Sequence, residues 1–110
     1  MANTFTRKTS QNIGATATQI GAYTVGASTT AIAIGLTCTN TTGSAITANV
    51  FLAKASANTY IVANAPISAG ASLIPIGGDQ KIVMITGDKI YVQSSAATSI
   101  DAILSIMEIT

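Results

Sequence analysis

A chain of 110 residues holds one ordinary domain, and this one takes 48% of its residues from the hydrophobic set, with only 8% charged and 5% aromatic. Neither tryptophan nor histidine occurs, so the core must be aliphatic and the commonest general base and zinc ligand is missing. The net charge is +1 and only Arg7 and Lys8 adjoin among the five basic residues, which excludes the clustered cationic face of a nucleic-acid binder; no apolar run of about 18 residues exists to span a bilayer.

The chain opens on "MANTFTRKTSQ", two cations with no apolar run behind them, and so reads as lacking a secretory leader. Residues 1–18 are the most polar and least strand-like part, expected as an N-terminal arm or first edge strand, with residues 19–110 as the folded domain. Runs rich in Ile, Val, Thr and Tyr, punctuated by Gly, Asn, Ser and Pro, predict strands near 4–9, 19–25, 31–39, 46–54, 59–63, 72–76, 80–85, 89–93 and 99–109. No segment keeps helical spacing for three turns without β-branched residues or glycine intervening. Gly87-Asp88 is a two-residue hairpin candidate, Gly43 sits in the longer turn after Asn40, and Pro66 and Gly70 mark a loop. The fold class is therefore all-β: a single antiparallel β-sandwich, jelly-roll or Ig-like, with a small closed barrel as the alternative.

Alternation defines the core. Ile32, Ile34 and Leu36 make one stripe, and Cys38 continues it as a small buried hydrophobe, since a lone cysteine makes no internal disulfide or zinc site. Ile46, Val50 and Leu52 make a second stripe, and Val83 with Ile85 and Ile90 with Val92 supply more. Several strands carry a second apolar face. Phe51 and Ala53, Ile82 and Met84, and Ile103, Met107 and Ile109 all point away from those stripes. A two-layer sandwich has one interior, so either the N-terminal segment or a neighbouring copy must cover them. With little surface charge to keep copies apart, a homo-oligomer is expected, a trimer favoured, with Phe51, Ile82, Met84, Ile103, Met107 and Ile109 as candidate interface residues.

Residues for chemistry are scarce. Asp79 and Asp88 fall in turns, where Asp bonds to nearby backbone, while Asp101 and Glu108 lie seven apart on opposite faces of one strand and cannot act as a pair. "IGGDQK" is followed by strand residues rather than Ser/Thr and a helix, so it fails as a phosphate loop. Asn40 in "NTT" fits a glycosylation acceptor and reads better as a turn. No catalytic residue, cofactor or metal is assigned. Tyr60 and Tyr91 offer the material for a saccharide platform, although a strand tyrosine with its hydroxyl at the rim is more often core edge.

The segments "MANTFTRKTSQNIG", "NTYIVANAPISAGASL", "GGDQKIVMITGDKIYVQSSA" and "SIDAILSIMEIT" resemble small all-β virion proteins of tailed bacteriophages. The likeness covers nearly the whole chain and is strongest from residue 58 to 110; its motifs are strands and turns without a catalytic signature. The resemblance implies a capsid decoration (cement) protein, with a neck, collar or tail adaptor, or a carbohydrate- or receptor-binding module of a tail fibre, as alternatives. It further implies a place in the virion after synthesis in the host cytoplasm, and partners among copies of itself and the major capsid or neck proteins, with no nucleic acid and no membrane. Phe5, Arg7 and Lys8 are then the expected contacts of an arm that grips the particle.

Overall fold

In a computed structural model, residues 2–54 and 57–110 are described. Nine strands follow in order: β1 Asn3–Ile13, β2 Thr18–Gln19, β3 Thr30–Asn40, β4 Ile46–Lys54, β5 Ala57–Ile67, β6 Ser72–Ile76, β7 Ile82–Met84, β8 Lys89–Ser94 and β9 Ile100–Ile109. They form two antiparallel sheets. The first runs β1-β9-β3-β6, with β7 also on β3, and the second runs β2-β8-β4-β5. Eight of these strands in two facing four-strand orders, linked by crossings between the layers, make a jelly roll; the Ig-like and barrel alternatives do not apply.

The interior lies between the sheets. Leu36 and Ile76 meet there across β3 and β6, and Leu104, Ile106, Val50, Ile90 and Val92 are fully enclosed. Each such side chain contributes roughly 1.5–3 kcal/mol of burial, most of it offset by ordering the chain. No aromatic ring larger than tyrosine is needed, because alternating aliphatic residues of both sheets fill the gap.

Strand β3 departs from simple alternation. Ala33 pairs with Ile106 and Gly35 with Ser105, so Ile34 is an extra residue in a bulge. Ahead of the bulge Ala31 and Ala33 face inward; beyond it Leu36, Cys38 and Asn40 do. The expected stripe Ile32–Ile34–Leu36 is therefore broken, and Ile32 lies on the outer surface.

Two other expectations are corrected. The strand predicted over 19–25 is a two-residue β2 followed by a 3₁₀ turn, Ile20–Ala22, in which Gly21 takes φ +57°. The Gly87-Asp88 turn is no hairpin, because β7 and β8 belong to different sheets. Its central pair is Thr86-Gly87: the Asp88 N–H donates to Ile85 O at 3.0 Å, Gly87 has φ +91°, and Asp88 Oδ2 accepts the Ile85 N–H at 3.0 Å.

Of the two forms expected for the N-terminal segment, residues 3–13 take that of the first edge strand, paired along β9 from Asn3↔Ile109 to Ser10↔Ala102. The two ends of the chain also meet. Ala2 N–H donates to Thr110 O at 3.1 Å, and Thr110 N–H returns the bond at 3.0 Å.

Candidate interaction surface

The structure divides the expected interface residues into two groups. Met84 is fully enclosed and Phe51 is 6% exposed, so their own chain covers both and neither is open to a neighbour. The reason is register. Met84 stands opposite Ala31 and faces the interior, which turns Val83, opposite Ile32, outward, the reverse of the sequence reading. Ile82 shares Met84's inward face and packs half-buried against the core. Phe51 does lie on the outer face of the second sheet, but the rings of Tyr60 and Tyr91 flank it at centroid distances of 5.1 and 5.4 Å.

Ile103, Met107 and Ile109 do face outward from the first sheet. Met107 stands between Phe5 of β1 and Ile32 of β3, and Ile32 in turn stands beside Val83 of β7. Phe5–Met107–Ile32–Val83 is thus a continuous apolar row across four adjacent strands, its members at cross-strand contact spacing. Phe5 is 73% exposed, Val83 62% and Ile103 49%. Ile74 of β6 extends the surface, also largely exposed. Sequence reasoning missed Ile32, Val83 and Ile74 because nothing in the local alternation announces the bulge in β3, the register shift between β3 and β6 or the register of β7.

Of the expected particle contacts, Phe5 and Arg7 share this outer face, Arg7 standing opposite Ser105. Lys8 points the other way. It pairs with Leu104 on the inward side, and its Nζ sits 5.5 Å from the centre of the Tyr23 ring. Nearby, the Tyr23 hydroxyl donates to Glu108 Oε2 at 2.7 Å. Burial, then the bond to Glu108 and its charge, holds the phenol above its ordinary 10.0.

Among the described residues no buried side-chain nitrogen or oxygen lacks a hydrogen-bond partner. Asp101 Oδ1 accepts the Asn12 N–H at 3.1 Å, and Asp88 closes its turn. Ser94 and Ser99 hydrogen-bond to each other inside the sandwich. A shallow cleft of about 350 Å³ lies at one end of the second sheet between Lys54, Lys89 and the Thr86–Asp88 turn. Its one lining hydroxyl, Thr86 Oγ1, donates to Gly26 O at 2.9 Å, and Asp88 Oδ2 accepts the Ile85 N–H. Among the described residues no group of three or more His, Cys, Asp or Glu could hold a metal ion, and no helix is long and apolar enough to cross a membrane.

The fold and this surface define an all-β jelly-roll domain with an apolar outer face. No family model matches the chain, and no curated protein matches it. Solved structures do. A subunit of the Bacillus endospore appendages, a family of disulfide-linked pili, superposes with a TM-score of 0.55 at 18% identity over 100% of this chain and 91% of that one. A chain of infectious bursal disease virus, Gx strain, gives 0.55 at 14% identity over 96% of this chain, which spans 32% of the viral one. At these identities the likeness is one of fold. The structural neighbours are components of a pilus and of a virus.

Proposed function

We propose that this protein is a non-enzymatic structural subunit of a tailed-phage virion, most specifically a capsid decoration protein that packs its first sheet against copies of itself and against the shell. The observation that carries the reading is the apolar row Phe5–Met107–Ile32–Val83, four strands wide on the outer face of a sandwich whose interior is already full. Water-exposed apolar rows of this extent mark interaction surfaces. The fold's occurrence in a pilus and in a virus supports the same role. The linkage differs from that of the disulfide-linked pili, since the single cysteine, Cys38, is wholly buried.

The test is to place a charge in the middle of the row. Met107→Lys should lower the mass of the oligomer measured by light scattering, with a trimer as the expected unit built through this face, and should abolish binding to intact particles. An unchanged oligomer that still decorates particles would overturn the reading. Electron cryomicroscopy of the particle then separates the capsid surface from a neck or tail position. A saccharide-binding role is the second reading, favoured by Tyr60, which is 52% exposed beside Phe51 and Tyr91. The planes of Phe51 and Tyr91 lie only 4° apart, so their facing surfaces are turned toward each other. A glycan array with no bound sugar eliminates this reading.

A further inference from the structure

A β-sandwich leaves strand edges whose unpaired N–H and C=O groups invite another chain, and natural sandwiches blunt them by shortness, proline or bulges. Three of the four edge positions here are blunted in this way. Strand β2 has two residues, β6 and β7 have five and three, and β6 contains Pro75. Strand β5 has 11 residues, but its register on β4 shifts twice, Asn64 takes φ +52°, and Pro66 has no N–H to offer. Strand β1 is the exception. It keeps one unbroken register on β9 from Asn3 to Ser10, and among the described residues no main-chain group of another element bonds to its far edge over residues 3–9.

We propose that this edge of β1 pairs antiparallel with the same edge of a second copy, centred on Thr6, joining two five-stranded sheets into one. The inference rests on the structural-subunit reading only for the premise that the chain self-associates; it uses the edge of β1 rather than the outer face, and the two share Phe5. Centring on Thr6 aligns the whole regular segment from Ala2 to Ser10 with itself and keeps both apolar outer faces on one side. Thr6 then meets Thr6, Asn3 meets Thr9, Thr4 meets Lys8, and Phe5 meets Arg7, twice by symmetry. Phe5 and Arg7 lie on the same outer face of β1. The guanidinium of one copy therefore covers the ring of the other, the most exposed large hydrophobic side chain among the described residues. Centring on Arg7 instead would set two guanidinia opposite each other, and centring on Phe5 would shorten the overlap. An inward-facing lysine often blocks an edge, but Lys8 lies back over its own Tyr23 ring and would meet only the neutral Thr4 of the second copy.

Cysteine cross-linking tests both the pairing and its register, because buried Cys38 stays silent. Thr6→Cys should form covalent dimers under mild oxidation. Phe5→Cys and Arg7→Cys should cross-link efficiently with each other when mixed and weakly alone, and Thr9→Cys should not link to itself. Absence of the Thr6→Cys dimer, or equal linking from Thr9→Cys, overturns the proposal. So does a shell protein occupying the edge, which leaves Thr6→Cys unlinked in the free protein. Adding Met107→Lys to Thr6→Cys separates the two readings. The cross-link should persist when the apolar face is spoiled. Loss of the larger oligomer without any Thr6 cross-link sinks the edge pairing and leaves the face intact.

Discussion

The side-chain amide of Asn40, at the end of β3, donates to the main-chain carbonyl of Ile67, at the end of β5, at 3.1 Å across 27 residues of sequence. The same Nδ2 reaches Ser44 O at 2.8 Å and Ser68 O at 3.2 Å, while Oδ1 accepts from the Thr42 N–H at 2.9 Å and its hydroxyl at 2.7 Å. Asn40 is wholly buried, so this one side chain satisfies backbone groups of two loops where the chain passes between the sheets.

Replacing Asn40 with alanine would leave several carbonyls facing an apolar gap. At roughly 1–3 kcal/mol for each unsatisfied buried group, partly relieved by entering water, the expected loss is about 3 kcal/mol in a denaturant titration. Asn40→Asp should cost as much or more, since it removes both donors and turns a carboxylate toward carbonyl oxygens. A loss below about 1 kcal/mol would show that water replaces the amide. The same burial closes the "NTT" site to glycosylation.

Alkaline pH should unfold the protein through two groups. Burial pushes the Cys38 thiol up from its ordinary 9.0 to about 12. Tyr23, shifted by burial and Glu108, also ionises later than a free phenol. Both stay protonated in the folded state where the unfolded chain has already lost its protons, so the folded state binds more protons and stability falls as pH rises. The Cys38 contribution is complete below pH 9 and declines from there toward 12, and that of Tyr23 is complete below pH 10 and declines above it. Cys38→Ala should lower stability at pH 7 through the cavity it leaves, yet flatten the fall that begins near pH 9. An unaltered slope would assign the alkaline loss elsewhere.

Gly21 is held where a side chain has no room. Its φ is +57°, and a Cβ there would lie 2.6 Å from the Cβ of Lys8. The close approach presses the 3₁₀ turn onto β1, where the Gly21 N–H also donates to Ser10 Oγ at 2.8 Å. Gly21→Ala should cost at least about 2 kcal/mol, from the left-handed backbone and the clash together. Lys8→Gly should restore more of that loss than Lys8→Ala, because the nearest atom is the β-carbon. Equal rescue by both would place the clash at the Lys8 Cδ, which lies 3.3 Å from the added carbon, and no rescue by either would place the strain in the backbone alone.

The layout of strands was readable from β-branched runs and turn residues because both act locally. Eight of the nine predicted stretches overlap a strand of three or more residues, and the β3, β4, β6, β8 and β9 bounds agree within a residue. What escaped depends on partners distant in sequence. The bulge at Ile34 exists because β3 must match β9 on both sides of it, and β7 takes its facing from β3 rather than from its own three residues. The outward turn of Ile103 and Met107 was legible, since β9 alternates without interruption from Ile100 to Ile106. Phe51 and Met84 were misplaced because an apolar residue away from the main stripe looks the same in sequence whether a neighbouring aromatic covers it, as at Phe51, or the stripe itself is inverted, as at Met84.

That inversion makes β3 the sharpest place to check the fold. Before the bulge the inward positions hold Ala31 and Ala33, both fully buried, with Ala33 opposite Ile106, whereas Ile32 lies half-buried on the outer row. Simple alternation would give the opposite sensitivities. Ala33→Leu must push three extra carbons between closely packed sheets and should cost about 1–3 kcal/mol. Ile32→Thr keeps β-branching, loses little burial in the single chain and should cost less than about 1 kcal/mol, while weakening association through the Phe5–Met107–Ile32–Val83 row. Thermal unfolding of the two variants compares the first pair of quantities, and light scattering reads the last. If Ile32→Thr proved the more damaging to folding, the bulge would be absent and the outer row would lose its central member.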